Sequence, residues 1–242
     1  MRILVLSDIH ANLSALEAVI TDAGLVDAVW CLGDVVGYGP DPNECIALLR
    51  GQANLTCLLG NHDAAVLGRI QLETFNHDAR RSIEWIQEII SKESYLFLNT
   101  LPEKTQVENV TLAHGSPRNP VWEYVLDLYN ASQNFNHFDT QICMVGHTHL
   151  PIAYITMENP RDVRWVIPME GETIQIDSRA ILNPGSAGQP RDHDPRASYA
   201  VFDSEQNNWQ IHRVAYDIRS VQKRIRAADL PPRHALRLTE GW

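Results

Sequence analysis

Six short apolar runs, each ending abruptly in Asp, His or Asn, constrain this chain more than any other feature. Ile3-Leu4-Val5-Leu6 stops at Ser7-Asp8-Ile9-His10, Val29-Trp30-Cys31-Leu32 at Gly33-Asp34, and Leu55 to Leu59 at Gly60-Asn61-His62-Asp63. Val110-Thr111-Leu112-Ala113 stops at His114-Gly115, Ile142-Cys143-Met144-Val145 at Gly146-His147-Thr148-His149, and Ile181-Leu182 at Asn183-Pro184-Gly185-Ser186. Short apolar runs bounded by turn residues read as buried strands. Strands that stop this way line their polar residues along the carboxyl edge of a sheet, where open α/β sheets bind ligands. Each motif alone is common in loops. Together, in order, they are not, because a structural protein has no reason to desolvate four histidines and two aspartates at strand ends.

The segments between the runs set the fold class. Leu13, Leu16, Val19 and Ile20 have helical spacing, and further helices are expected near 43–50, 64–67 and 76–91, so the first half alternates strand and helix as an α/β fold does. In the second half, strands are expected near 110–113, 142–145, 152–156, 164–167, 173–176, 180–182, 199–202 and 210–214. Few helices separate the later ones, which predicts partly antiparallel pairing. A last helix over 217–228 is expected to stop at Pro231-Pro232. No repeat or Gly/Ser linker interrupts the chain, so residues 1–242 read as one domain of two packed sheets with helices outside.

The strand-end side chains are two carboxylates, an amide oxygen and four imidazoles without thiolate, a donor set that suits Mn, Fe, Co, Ni or Zn better than Ca or Mg. Thirty acidic residues against twenty Lys and Arg give a formal charge of −10, which disfavours broad contact with nucleic acid or anionic membrane. A phosphate-bearing substrate must then be drawn by a local positive centre. The N-terminal apolar run is too short for a signal core, no window approaches a membrane span, and Cys31, Cys45, Cys57 and Cys143 form no CxxC pair. A cytoplasmic protein with buried free thiols is expected.

Asp8-x-His10, Gly33-Asp34, Gly60-Asn61-His62-Asp63, His114 and Gly146-His147-x-His149 resemble the motif series of the calcineurin-like metallophosphoesterases, in their bacterial phosphodiesterase branch, related to diadenosine tetraphosphatases and Ser/Thr protein phosphatases. The resemblance runs from Asp8 to about Ser186 and implies a four-layer αββα sandwich with a dinuclear metal site. By that resemblance Asp8, His10 and His149 hold one divalent ion, Asn61, His114 and His147 hold the second, and Asp34 bridges. Manganese is the expected metal, with Fe, Zn, Ni or Co as alternatives. His62 takes the place of the catalytic histidine, and a metal-bridging hydroxide is the implied nucleophile. Two divalent ions, two carboxylates and that hydroxide sum to about +1, enough to draw a phosphate oxygen. Asp63 either orients His62 or caps the following helix.

One loop departs from the pattern. Where an arginine contacts substrate phosphate in the protein phosphatases and tetraphosphatases, this chain has Tyr38, and Gly37 stands where the protein phosphatases have an acid. Arg118 and Arg191 are candidate replacements, each either a bidentate phosphate ligand or a salt-bridge partner. Trp122, Tyr124 and Tyr129 either wall the cleft or pack under a loop. The expected substrate is a small phosphodiester or nucleotide-type phosphate ester. A phosphomonoester or phosphoprotein phosphatase is the alternative, and an inactive scaffold is a minor one because all seven ligand positions are filled.

Overall fold

The computed structural model describes residues 1–157 and 162–242, and its strands form two six-stranded mixed sheets. In the first, β3 (Leu55–Cys57), β2 (Ala28–Cys31) and β1 (Arg2–Leu6) run parallel, and β11 (Ala197–Asp203), β12 (Asn208–Val214) and β9 (Thr173–Gln175) extend it antiparallel. In the second, β5 (Val110–Ala113), β6 (Ile142–Met144) and β10 (Ala180–Pro184) are parallel. There β4 (Lys104–Val107) pairs antiparallel with β5, and β7 (Pro151–Thr156) and β8 (Val163–Val166) extend the other side beyond β10.

Period-two alternation along the strands sorts the core into layers. Ile3 and Val5 of β1 face between the sheets, against Trp30, Leu112, Met144 and Leu182. Leu4 and Leu6 face the other way, with Leu16 of α1 (Leu13–Ala23) and Ile46 of α2 (Pro42–Arg50). On the outer face of the second sheet, Cys143, Tyr154 and Ile181 pack with Ala131 of α6 (Leu128–Asn134) and with Phe135 and Phe138. The result is a four-layer αββα sandwich. The four cysteines are buried and free. Among the described residues no helix is long and apolar enough to cross a membrane.

The helices differ from expectation in four places. The third, α3 (Asn61–Val66), begins three residues early, so His62 sits in its first turn. The helix expected over 76–91 is α4 (His77–Ile89), but it is followed by α5 (Lys92–Thr100), which was not expected and starts where the Ser91 hydroxyl accepts from the Ser94 N–H. Helix α6, also not expected, is capped by Asp127. Finally, α7 (Ile218–Ala227) ends before Pro231-Pro232, as expected, but a further helix α8 (Pro232–Glu240) starts there. Proline at the first helical position sacrifices no hydrogen bond, so the same dipeptide that stops one helix opens the next.

Candidate metal centre

Asp8 and His10 follow β1, Asp34 follows β2, Asn61 follows β3, His114 follows β5, and His147 and His149 follow β6. Both sheets therefore contribute, and none of the seven is more than 3% exposed. Five of them have left-handed backbone: φ is 53° at Asp8, 49° at His10, 53° at Asp34, 65° at His147 and 62° at His149. Asp and His enter that region more readily than most residues, yet each instance costs about 1–3 kcal/mol and persists only where the surroundings over-determine it. The backbone also comes close. A Cβ at Gly60 would strike the Asp34 carboxylate, and one at Gly37 (φ 110°) would lie 2.5 Å from His62 Nδ1.

The side chains form two groups that share one carboxylate. Ligand atoms of Asp8, His10 and His149 lie within 4.8 Å of one another, as do those of Asp34, His114 and His147. Asp34 Oδ2 is 3.7 Å from His10 Nε2 and 3.4 Å from His114 Nε2, so it reaches both groups. The other Asp34 oxygen accepts from the His62 N–H at 2.9 Å, and Asp8 Oδ2 accepts from the His147 N–H at 3.0 Å. Asn61 Oδ1 sits 3.1 Å from His114 Nε2. His62 is also within reach of His10 and Asp34, which makes a third possible grouping.

Backbone carbonyls fix the rings. His10, His114 and His149 donate from Nδ1 to the carbonyls of Val36, Leu32 and Gln189 at 3.2, 3.0 and 2.6 Å. A carbonyl only accepts, so in the neutral ring Nε2 carries the lone pair. The His10 and His149 Nε2 atoms then face each other at 3.1 Å, with Asp8 Oδ1 3.3 Å from the latter and without a hydrogen-bond partner among the described residues. Lone pairs and carboxylate oxygens gathered out of water repel unless a cation lies among them.

The titration of these groups agrees. Burial, with the neighbouring Asp34 charge, raises Asp8 to about 6. Burial disfavours the His114 imidazolium, but the charge and hydrogen bond of Asp34 prevail and lift it to about 9. Protons are thus drawn to the places a metal would fill. Burial holds His10, His147 and His149 well below the usual histidine value, in the neutral form that binds metal. The oxygen and nitrogen donor set, two carboxylates among imidazoles with no thiolate, fits divalent cations.

Residues 1–207 match the calcineurin-like phosphoesterase superfamily domain. The chain belongs to that superfamily. It is a metallophosphoesterase, a hydrolase of phosphate ester bonds. It is 44% identical to the metallophosphoesterase of Sphaerobacter thermophilus, whose crystal structure superposes with a TM-score of 0.91 over 100% of this chain and 99% of that one. An uncharacterised protein of Methanocaldococcus jannaschii is 38% identical over 239 residues, which are 95% of this chain and 93% of that protein. A hypothetical protein of Pyrococcus horikoshii shares the fold at 18% identity, with a TM-score of 0.79 over 100% of this chain and 98% of the other. Helices α7 and α8 lie beyond the residues that match the superfamily domain.

Around the metallophosphoesterase centre the remaining candidates separate. His62 lies against the rings of Tyr38 (4.5 Å between centroids), His10 (4.9 Å) and Phe75 (5.1 Å), and burial lowers it to about 4. Asp63 does not bond His62. Its carboxylate accepts from the N–H groups of Gly60, Val35 and Val36 at 2.9, 3.3 and 3.0 Å, capping α3 and pinning the Asp34 loop. Arg191 reaches Tyr38 OH at 3.4 Å. Arg118 instead forks onto Glu123 through Nε and Nη2, the salt-bridge alternative. Tyr124 stacks on His147 at 3.7 Å, Trp122 packs edge-on against Phe75 at 5.2 Å, and Tyr129 is exposed on α6. Phe75 and the orienting carbonyls of Leu32, Val36 and Gln189 escape sequence reading, the carbonyls because no side-chain letter encodes them.

Proposed function

We propose that this metallophosphoesterase is a dinuclear phosphodiesterase of small molecules, with Asp8, His10 and His149 holding one divalent ion, Asn61, His114 and His147 the other, and Asp34 shared. The observation that carries the reading is the Asp34 carboxylate lying within 3.7 Å of an imidazole nitrogen in each group. When bound, manganese or a similar ion supplies Lewis acidity, lowers the pKa of water and clamps an in-line displacement at phosphorus. His62, held by its backbone N–H on Asp34 and wedged between Tyr38 and Phe75, would take the acid–base role toward the leaving oxygen. Phe75, Trp122 and Tyr124 form an aromatic wall beside it, suited to an ester group or a base. Tyr38 stands where phosphatase relatives carry a guanidinium, and a diester monoanion needs that charge less than a monoester dianion does.

A second reading, phosphomonoester hydrolysis, is favoured by Arg191, which brings a guanidinium to Tyr38 from another loop. One experiment decides between them. Mn-reconstituted protein is expected to carry two ions per chain and to show a higher kcat/KM for an aryl phosphodiester than for its monoester or a phosphopeptide. One ion or none in folded protein overturns the dinuclear site, and a preference for the phosphopeptide or the monoester overturns the diester assignment.

A further inference from the structure

A cavity of about 380 Å³ opens beside the aromatic wall, and Trp122 belongs to both. The Trp122 ring lies 6.3 Å from that of His147 and 5.2 Å from that of Phe75, which in turn lies 5.1 Å from His62. Three segments line the cavity, and each also serves the metal centre. Ala64 comes from α3, which begins with Asn61 and His62. Ile70 and Thr74 come from the stretch that ends in Phe75, and Asn119, Val121 and Trp122 from the loop that follows His114. The volume falls within the ~300–1,000 Å³ usual for small-molecule sites.

The walls are held in place by their own hydrogen bonds. The Arg69 N–H donates to the Ala64 carbonyl at 2.9 Å, and its guanidinium donates to the Asn99 carbonyl and to Asn99 Oδ1 at 3.1 and 2.8 Å. The Asn119 N–H donates to the Ser116 hydroxyl at 3.0 Å, and the Trp122 N–H to the Asn119 carbonyl at 3.4 Å. A site formed in advance loses less affinity to ordering. Its chemistry is mixed. Ala64, Ile70, Val121 and the half-buried Trp122 give an apolar floor, while the Glu103 and Asn119 side chains line it without a hydrogen-bond partner among the described residues. Arg69 and Glu103 are its one cation and one anion, so the pocket carries no net charge to draw a second phosphoryl group. A flat ring that stacks on one side and offers donors and acceptors along its edge suits such a lining, and a nucleobase is that kind of ring.

Resting on the phosphodiesterase reading, we propose that this pocket is a base subsite, so that the diester cleaved at the metal centre carries a nucleoside. The base stacks on Trp122 and turns its edge toward Glu103 and Asn119, while the phosphate lies at the metal centre. Trp122 is then a specificity residue: it selects which phosphate ester is held and takes no part in cleaving it.

Calorimetric titration of the full-length Mn-loaded protein with AMP and with ribose 5-phosphate, its counterpart without the base, tests this. AMP is expected to bind about tenfold more tightly or better, as stacking on an aromatic ring provides. Trp122→Ala should bring that ratio below about threefold at unchanged metal content, and Trp122→Phe should restore part of it. A second measurement uses the indole itself: AMP should quench tryptophan emission in the wild type, ribose 5-phosphate should not, and the quench should vanish in Trp122→Phe. A wild-type ratio near one, a ratio that survives Trp122→Ala, or a quench that survives Trp122→Phe overturns the subsite. Failure of the phosphodiesterase reading looks different, since the affinity ratio would stand while an aryl monoester is hydrolysed in preference to the diester.

Discussion

His62 differs from the His10, His114 and His149 rings in lacking a carbonyl to hold it. Its Nδ1 is buried without a partner among the described residues, and Gly37 packs so closely that no side chain fits there to supply one. The acid missing at position 37 is therefore not replaced, and His62 is positioned by its ring contacts and by its N–H on Asp34. Because His62 also falls within metal-ligand reach of His10 and Asp34, substitution separates the two roles. His62→Ala is expected to keep its metal, measured by elemental analysis, and to slow turnover by ~10²–10⁴-fold, the usual range for an acid–base group. Loss of an ion with the ring would make it a ligand. At this scale the sequence was most informative, because metal chemistry demands particular side chains at strand ends and all seven converge. The orienting carbonyls and the left-handed turns carry no letters of their own and emerge only from the fold.

Among elements, the segment from β5 to α6 shows how a charge assigned to chemistry can serve structure. Glu123 accepts from Arg118, from the Ser116 hydroxyl and from Asn134 Nδ2, closing the loop that follows His114. The Arg118 hydrogen bond, against the opposing effect of burial, pulls Glu123 down to about 2. A depressed carboxylate contributes stability that is complete above its unfolded pKa of about 4.3 and is lost as pH falls toward its folded value. With partial solvent screening the contribution is about 1–2 kcal/mol, or about 2–8 °C in a domain this size. Metal-free Glu123→Gln should therefore melt below wild type at pH 7, and the gap should close as pH is lowered toward 2. A gap independent of pH would mean that the loop is held by something else. Arg118 showed in sequence only its proximity to His114, since a partner five residues on reads equally as neighbour or bystander. Helix α8 was hidden for a similar reason: Pro231-Pro232 is a stop and a start at once, and the second meaning appears only when Leu238 and Ala235 find α7 to pack on.

Taken whole, the molecule is two sheets whose apolar faces meet, with the candidate metal centre across one end of the seam. The alternation of strand and helix in the first half and the antiparallel character of the later strands were legible locally. Strand order was not, because it depends on pairings such as Arg2 with Asp203 and Leu4 with Val201, which bring together residues two hundred positions apart. The site inherits that topology. Asp8, His10, Asp34 and Asn61 come from the first sheet and His114, His147 and His149 from the second, so any ion shared by Asp34 and His114 ties one sheet to the other. Without the ion, buried lone pairs and carboxylate oxygens face one another across the seam, and protons on Asp8 and His114 compensate only in part. A ligand that binds the folded form alone stabilises it by about 2.7 kcal/mol at a hundred times its dissociation constant, which corresponds to about 5–10 °C here. Chelation should lower the melting temperature by that amount, and readdition of Mn should restore it. Asp34→Asn should abolish most of the Mn-dependent gain, because it weakens both groups at once. His10→Ala should keep part of it, because the group around His114 remains. Equal melting curves with and without Mn would show that the sheets are held by their apolar faces alone and that the centre contributes nothing to their union.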